Sequence, residues 1–588
     1  MVASPVLKPG LSPASPKLTT SKPKLGLRAW MERVLEECER ADKGFDAEAV
    51  HDLRVALRRC RSLADGLIAL DPDSSWKDMK KAGKKVFQAL GELRDMQVME
   101  EWIEKLNGMD DSATDQRAQD PVAGKLLDHV RAREADCKAL ARKDLDQFDR
   151  KQWRQWSKTL PRRAARVRPG SLVYLHLALE KWTQAYELHK RALRTRSTIG
   201  WHELRIGIKH LRYTVENFLP RQHAEWGDDL KALQDLLGEV HDLDVLWATA
   251  IDSNVQAFPD VQSRKKWREN LNVERNKRLA RYREKMVGRR SLWRVWRAEL
   301  PSGPQLHAAA MSRLRTWAGY LDPEFSHAQS VAQLSLLLYD GLEHAGLFED
   351  HALSFAAVHK LDRPSSNSSL QNTGEPNPEL DPRPVLQAAA FMHAVGRAKG
   401  MKDHQKKSYR MIRNLPRPLG WSARELELAA MVARYHRGAL PRSRGKITQR
   451  LELPDRPIAI LLAGILRLAV ALDPHTRNEK RGASRFSAPR NDPHWGSANR
   501  IEVGLQDQFI LVRVEGYSVL DRSAEGVAAA RHLLETVLRR PVIVRALRPS
   551  LKRARSSVQT GASAEKRIEN KIAIPRTISR TTRNHEAA

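Results

Sequence analysis

The feature that most constrains this chain is an internal duplication. The segment His51-Asp-Leu-Arg-Val-Ala-Leu-Arg-Arg-Cys-Arg61 is matched in residue type by His202-Glu-Leu-Arg-Ile-Gly-Ile-Lys-His-Leu-Arg212. A second segment, Leu90-Gly-Glu-Leu-Arg-Asp-Met-Gln-Val98, is matched by Leu237-Gly-Glu-Val-His-Asp-Leu-Asp-Val245. The first pair lies 151 residues apart and the second pair 147. We therefore expect two copies of one structural unit, in which both matched segments recur in the same order.

Each copy places cations on one side of a predicted helix. At about 100° per residue, four cations fall within a stripe roughly 80° wide in each copy. We call these stripes the first ladder (His51, Arg54, Arg58 and Arg61) and the second ladder (His202, Arg205, Lys209 and Arg212). Apolar residues fall toward another side of each helix and predict its buried face: Leu53, Leu57, Cys60 and Leu67 in the first copy, and Leu204, Ile208, Leu211 and Val215 in the second.

The ladders indicate an anionic ligand. Stacked like charges repel one another by a few tenths of a kcal/mol per neighbouring pair, and helices normally relieve this with interspersed acids. Here the nearby acids, Asp52 and Glu203, point away from the stripes. Arginine binds phosphate oxygens through two parallel hydrogen bonds, while lysine adds a point charge and histidine a hydrogen-bond donor. The sequence predicts a surface for a phosphate polymer, and an ordinary solvated basic face is the alternative.

The second matched segment extends the predicted surface. Lys84 and Lys231 occupy equivalent positions before its glycine, and Arg94 and His241 are equivalent cations after it. Asp95 and Asp242 are positioned to orient these cations. The predicted binding residues are therefore both ladders together with Arg59, Lys84, Arg94, Lys231 and His241.

The charge of the whole chain agrees with a polyanionic partner. Its 588 residues include 102 lysines and arginines against 71 acids, a formal net charge of +31. Three cysteines without metal-ligand spacing favour a reducing, cytoplasmic location rather than a disulfide framework. No apolar run reaches the roughly 18 residues needed to span a membrane, and no signal peptide is recognised.

The pattern of apolar residues predicts a mainly α protein. Residues 1–28 form a flexible basic leader, and 29–300 a helical domain with repeats at about 29–150 and 171–300. Residues 307–475 form a second helical domain. Two strands, a helix and a third strand, at 500–505, 509–514, 524–538 and 541–546, make a small α+β unit over 499–547. The tail, 548–588, has ten basic and three acidic residues and is expected to be disordered.

The paired His-x-Leu-Arg-x-x-x-Arg/Lys-x-x-Arg segments, each followed by Leu-Gly-x-x-x-Asp, resemble the conserved-histidine α-helical domain, CHAD. The resemblance covers roughly residues 28–300. It implies two pseudo-symmetric helical bundles around a basic channel that binds inorganic polyphosphate, and association with polyphosphate granules in cells.

The second half resembles the HD domain, and in particular the carboxy-terminal region of the exopolyphosphatase and guanosine pentaphosphatase family. The resemblance rests on His327, on the segment ending in His393-Ala394, on Arg434-Tyr-His-Arg437 and on Arg467-Leu-Ala-Val-Ala-Leu-Asp473. An active HD site implies a His-Asp pair and a later aspartate that hold a divalent metal. Ala394 and Val470 stand at those two carboxylate positions. The remaining imidazoles, His327, His393, His404 and His436, are weak candidate metal ligands, and no cofactor is expected.

These observations favour a polyphosphate-binding protein without catalytic activity, acting as a scaffold or sensor at granules in the cytoplasm. The actin-like catalytic domain that the exopolyphosphatase resemblance implies is not found in the sequence. One alternative is a metal-dependent polyphosphatase or other phosphohydrolase that uses the HD-like half. Another is nucleic-acid binding, which the net charge permits although no recognition motif is found.

Overall fold

The fold is described from a computed structural model. It describes residues 26–43, 45–107, 121–252, 257–348, 380–442, 445–473, 501–515, 517–518 and 523–547. The predicted tail and all but the last three residues of the predicted leader lie outside the described residues.

The chain divides into two compact units. The first comprises residues 1–321 together with 416–421, and the second comprises 322–415 together with 422–588. The predicted second helical domain begins at 307, but the helix over Gly303–Leu321 lies in the first unit.

The first unit begins with the helices of the first repeat. These are α1 (Leu27–Lys43), α2 (Ala47–Ile68), α3 (Ser75–Ala82), α4 (Lys84–Asn107), α5 (Pro121–Asp146) and α6 (Arg150–Ala164). Helix α1 packs on α2 and α6, and α4 packs on α5.

The second repeat follows with the same packing. Its helices are α7 (Leu172–Thr195), α8 (Thr198–Phe218), α9 (Pro220–Ala250), α10 (Val261–Met286) and α11 (Leu292–Ala298), and α12 (Gly303–Leu321) packs on α7. Helix α7 packs on α8 and α11, and α9 packs on α10, as their counterparts do in the first repeat. The duplication seen in the sequence is therefore a duplication of helix packing.

The two ladder-bearing helices begin and pack as their residue patterns indicate. Asp46 caps α2 by accepting a hydrogen bond from the Ala49 N–H (2.8 Å), and Ser197 caps α8 by accepting one from Gly200 (3.1 Å). Every residue of the predicted apolar faces is buried, which confirms that prediction: Leu53, Leu57, Cys60, Leu67, Leu204, Ile208, Leu211 and Val215. By the water-to-apolar transfer scale each fully buried leucine contributes about 2 kcal/mol.

Helices α2 and α8 also pack against each other near their carboxy-terminal ends. Asn217 donates a hydrogen bond to the Ser62 hydroxyl (3.1 Å) across this contact. A Cβ at Gly66 would lie 2.2 Å from the ring of Phe218, which stacks on Tyr174. The absence of a side chain at Gly66 is what allows the two helices to approach, and this approach brings the repeats together.

The second unit is a helical layer joined to a small sheet. Its helices are α13 (Phe325–His344), α14 (Pro382–Met392), α15 (His404–Arg413), α16 (Ala423–Arg434), α17 (Asp455–Leu472) and α18 (Ser523–Leu538). Strands β1 (Ile501–Gln506), β2 (Phe509–Glu515) and β3 (Val542–Leu547) form a sheet in that order. Strands β1 and β2 are antiparallel, with Val503 opposite Val512, and β3 returns parallel to β2 after α18.

The mainly α fold and the small α+β unit are confirmed. The three strands and the helix of that unit each begin and end within one residue of the predicted positions. Over the part of the chain that the structure describes, no helix is both long and apolar enough to cross a membrane.

Candidate functional site

The two ladders face a common space in the first unit. The ammonium group of Lys209 in the second ladder lies near Arg205 and also near three cations of the first ladder, Arg54, Arg58 and Arg61. Because α2 and α8 are in contact, residues about 150 positions apart in the chain become electrostatic neighbours. The sequence indicated two separate stripes, and the fold brings cations of both stripes close together.

A cavity of about 290 Å³ lies between the ladders. Ladder residues Arg58, Arg61 and Lys209 line it, and the other cations around it are Lys80 and Lys181. His210 also lines the cavity, and burial lowers its pKa, so its imidazole is neutral near pH 7. Asp65 also lines the cavity but forms an ion pair with Lys80. The lining therefore carries an excess of positive charge, as a site for an anion requires.

Four cations at the centre of the site form no ion pair in the described structure, although the Asp95 carboxylate lies near Arg54 and Arg205. Among the residues that the structure describes, none of Arg54, Arg58, Arg205 and Lys209 forms an ion pair with a carboxylate. The Nε atom of Arg54 is buried and has no hydrogen-bond partner among the residues that the structure describes. Unpaired buried donors are costly, so these groups are poised for acceptors supplied from outside.

The acids next to the ladders are held elsewhere, as the sequence predicted. Asp52 accepts a hydrogen bond from Arg40 (3.3 Å), and Glu203 pairs with Arg191 (3.0 Å). Neither carboxylate relieves the repulsion within its own ladder.

Burial and charge repulsion alter the titration of the site. The pKa of Lys209 falls to about 8, because burial and the neighbouring arginines disfavour the charged ammonium. Burial also lowers the pKa of Arg54 and of Arg61. In each case burial disfavours the charged form, and a bound anion would favour it.

The histidine end of the second ladder contains a pair of imidazoles. The Nδ1 atoms of His202 and His241 are 3.3 Å apart. Burial, followed by repulsion from Arg205 and His202, lowers the pKa of His241 to about 4. Burial raises the pKa of the adjacent Asp242 to about 6 although Arg205 opposes the shift. His241 is therefore neutral near pH 7 and presents a neutral hydrogen-bonding group at this end.

The remaining predicted binding residues lie around this centre. Arg59 and Arg212 both contact Glu216, at 2.5 and 3.9 Å. Arg61 donates a hydrogen bond to the Lys80 carbonyl (2.5 Å), and Arg94 pairs with Glu101 on its own helix (3.0 Å). The side chains of three others are exposed, namely His51, Lys84 and Lys231.

Sequence reasoning missed several cavity residues. His210 lies within the segment His202–Arg212 and Tyr213 directly follows it, so the repeat could have pointed to both positions. Lys80 and Lys181 come from α3 and α7, outside the matched segments, and only the packing of these helices brings them to the cavity.

The second unit contains a row of buried imidazoles. The rings of His327 and His393 lie 5.4 Å apart between centroids, and His393 and His436 lie 4.8 Å apart. The Nε2 atoms of His404 and His436 are 3.3 Å apart. Burial lowers the pKa of His393 to about 3 and that of His404 to about 4, so these two imidazoles are neutral near pH 7.

One carboxylate beside this row was missed from the sequence. Asp473 contacts His327 Nδ1 (2.8 Å) and accepts a hydrogen bond from Ser330. It follows the last residue of α17, three positions after Val470. Within the described ranges, no three imidazole, carboxylate or thiolate side chains converge as ligands for a metal ion.

Comparisons with known proteins assign both units. The CHAD domain family matches residues 26–250, and the family described as Ppx/GppA phosphatase, domain III matches residues 324–508. Among solved structures, the crystal structure of the CHAD domain from the plant Ricinus communis is 21% identical, with a TM-score of 0.29, over 46% of this chain and 88% of that one. No curated protein matches the chain. The chain therefore carries a CHAD domain in residues 26–250 and a Ppx/GppA phosphatase domain III in residues 324–508.

Proposed function

We propose that the CHAD domain binds inorganic polyphosphate between its two ladders. The two domain families together indicate a polyphosphate-related function. The finer assignment, binding at the ladders, is supported by one observation: Arg54, Arg58, Arg205 and Lys209 converge, and none of them forms an ion pair with a carboxylate in the described structure.

Polyphosphate fits the charge pattern of the site. A linear ligand with a negative charge on each unit can place phosphate oxygens against successive cations of both ladders. Each guanidinium can bind phosphate through two parallel hydrogen bonds. The ligand would offset repulsion along each ladder and between the ladders, a gain that a singly charged anion cannot provide.

Binding without hydrolysis is the activity that we propose for the whole chain. In the second unit, the two positions at which an HD-type site implies metal-binding carboxylates are Ala394 and Val470. Asp473 supplies a carboxylate, but it is engaged by His327 and Ser330. We expect the protein to act in the cytoplasm as a scaffold or sensor at polyphosphate granules.

A competition experiment with the full chain tests this proposal. Fluorescent long-chain polyphosphate is titrated with the protein at fixed salt, and unlabelled polyphosphate or single-stranded RNA is added at equal phosphate concentration. We expect polyphosphate to compete at least about tenfold more effectively than RNA, because a nucleic-acid backbone carries its charges farther apart. We also expect no phosphate release with added Mg²⁺ or Mn²⁺. Equal competition by RNA would favour the nucleic-acid alternative, and metal-dependent turnover lost in His393→Ala would favour the hydrolase.

Polyphosphate affinity should depend on the protonation of Lys209. In the free protein the pKa of Lys209 is about 8, and a bound polyanion raises this pKa because it stabilises the ammonium. Above pH 8, Lys209 must therefore take up a proton when the ligand binds. The polyphosphate affinity is therefore highest below pH 8 and falls as the pH rises above 8. We expect a loss of roughly tenfold in the affinity between pH 7 and pH 9, measured by titration at constant ionic strength.

The Lys209→Arg variant is the matched control for this pH dependence. It keeps a cation at the same position, and a guanidinium stays protonated throughout this pH range. We expect its affinity to change less than twofold between pH 7 and pH 9. An equal decline in wild type and variant would assign the pH dependence to another group.

A further inference from the structure

A second basic cavity lies outside the ladders, in the second repeat. It has a volume of about 240 Å³ and is lined by residues at the α7–α8 junction and on α9 and α10. The lining residues that matter here are Arg196, Thr198, Asp244, Trp247, Arg268 and Arg275. We call this cavity the outer notch.

The lining of the outer notch contains more arginines than carboxylates. Asp244, the one carboxylate among the described residues that line it, accepts a hydrogen bond from Arg275 Nε (2.8 Å). Arg196 and Arg268 are exposed, and neither pairs with a carboxylate within the described ranges. Two guanidiniums therefore face the notch with their charge uncompensated.

The indole of Trp247 positions one of these guanidiniums. The Arg268 guanidinium carbon lies 5.3 Å from the centre of the Trp247 ring. A cation–π contact of this kind orients the planar group but uses none of its N–H donors. Arg268 is thus pre-organised while its hydrogen-bonding edge remains available to an anion.

The other repeat provides an internal comparison. The offset of 147 residues places Trp247 opposite Glu100 and Asp244 opposite Gln97. In the first repeat Glu100 accepts a hydrogen bond from Arg131 (2.8 Å), and Gln97 donates one to Glu134 (3.2 Å). Glu100 and Gln97 thus form polar contacts at the positions that Trp247 and Asp244 occupy in the second repeat. The aromatic ring that lies beside Arg268 has no counterpart at the aligned position of the first repeat.

The outer notch continues the second ladder. Thr198 precedes His202 by one turn on α8, a rise of about 6 Å. Asp244 follows His241, the partner of His202, by three residues on α9. A chain of phosphates lying along the ladder from Lys209 to His202 would next meet the notch.

We propose that the outer notch is an additional phosphate subsite, in which Arg196 and Arg268 bind the part of a polyphosphate chain that leaves the ladders beside His202. This proposal rests on the proposed function of the ladders. It makes the CHAD domain asymmetric, since the track of cations is longer at the second repeat. Chains that extend past His202 gain contacts that shorter chains cannot make.

The test compares two lengths of ligand. An Arg196→Gln, Arg268→Gln variant of the full chain is titrated with long-chain polyphosphate and with tripolyphosphate, which fits within the roughly 15 Å spanned by the second ladder. The control, Arg281→Gln, Arg290→Gln, removes the same charge from two exposed arginines outside the notch. We expect long-chain affinity to fall about tenfold in the notch variant and less than twofold in the control. Tripolyphosphate affinity should be unchanged in both variants, which also verifies that the ladders remain folded.

The outcomes separate the subsite from the proposed function. If wild type binds long chains and the notch variant matches the control, the subsite is wrong and the ladders remain as proposed. The subsite is likewise wrong if both ligands weaken equally, because the effect would then be one of overall charge. If wild type binds neither ligand, the proposed function fails and the subsite fails with it.

Discussion

Replacing Arg54, Arg58, Arg205 and Lys209 together with glutamine is expected to weaken long-chain polyphosphate binding by about 10²–10³-fold. Hydrogen bonds to charged groups contribute about 1.5–3 kcal/mol each, and losing a fraction of four such contacts suffices for this effect. The four residues carry no ion pairs in the described structure, so their replacement breaks no internal salt bridge. Glutamine keeps a polar side chain of similar length, which limits the disturbance of packing.

The stability of this variant distinguishes a ligand site from a structural one. Because repulsion among the four cations is lost together with the attraction of Arg54 and Arg205 for Asp95, we expect the thermal midpoint of the variant without ligand to stay close to that of wild type. A large fall in thermal midpoint would instead indicate that the ladders serve the fold.

A control variant separates local from overall charge. It replaces four exposed cations distant in sequence from the ladders with glutamine: Lys138, Lys143, Lys158 and Arg281. Both variants lose four charges, so long-range attraction falls to a similar extent. We expect the control to lose less than about tenfold in affinity at 0.15 M salt, where the screening length is about 8 Å. Equal losses in both variants would contradict binding at the ladders.

Much of this site could be predicted from the sequence because its residues follow local rules. Helical periodicity fixed which residues share a stripe, and the same periodicity correctly assigned Leu53 and Ile208 to the buried faces. The duplication made the assignment stronger, since each repeat serves as a test of the other. Local sequence patterns also correctly placed strands β1, β2 and β3 and the helix between β2 and β3.

The parts that sequence reasoning missed depend on packing between distant segments. Whether the ladders face each other is decided where α2 crosses α8, at Gly66 and Phe218, and neither residue belongs to the matched segments. Lys181 reaches the cavity from α7 for the same reason. Asp473 was missed because the turn that ends α17, rather than helical spacing, brings its carboxylate to His327.

The second large effect concerns Glu216, which holds the two repeats together beside the site. Its side chain is only 10% exposed and pairs with Arg59 of α2 (2.5 Å), while Arg212 of its own helix lies at 3.9 Å. Burial acts to raise the pKa of Glu216, but Arg59 outweighs it and the pKa is lowered. The carboxylate is thus ionised at neutral pH and partly neutralises two predicted binding residues.

Glu216→Gln should therefore destabilise the protein and strengthen ligand binding. Removing one partner of a buried ion pair costs about 3 kcal/mol or more, because the arginines are left uncompensated. The same two arginines then become available to phosphate, and one or two added contacts correspond to a roughly tenfold gain in polyphosphate affinity. Saturating polyphosphate should restore much of the lost stability, since a ligand that binds only the native state stabilises it.

Simple damage to the fold would lower both the stability and the polyphosphate affinity of Glu216→Gln, whereas we expect its stability to fall and its affinity to rise. Chemical denaturation at pH 7 gives the loss in the free energy of unfolding, and titration gives the gain in affinity. Because the lowered pKa means that the contribution of Glu216 is lost as the pH falls through its folded value, the two proteins should converge in stability under acidic conditions. Glu225→Gln removes an exposed ion pair with Arg221 and should change stability far less than Glu216→Gln does. Weaker polyphosphate binding by Glu216→Gln would mean that Arg59 and Arg212 serve the contact between α2 and α8 and do not extend the ladders.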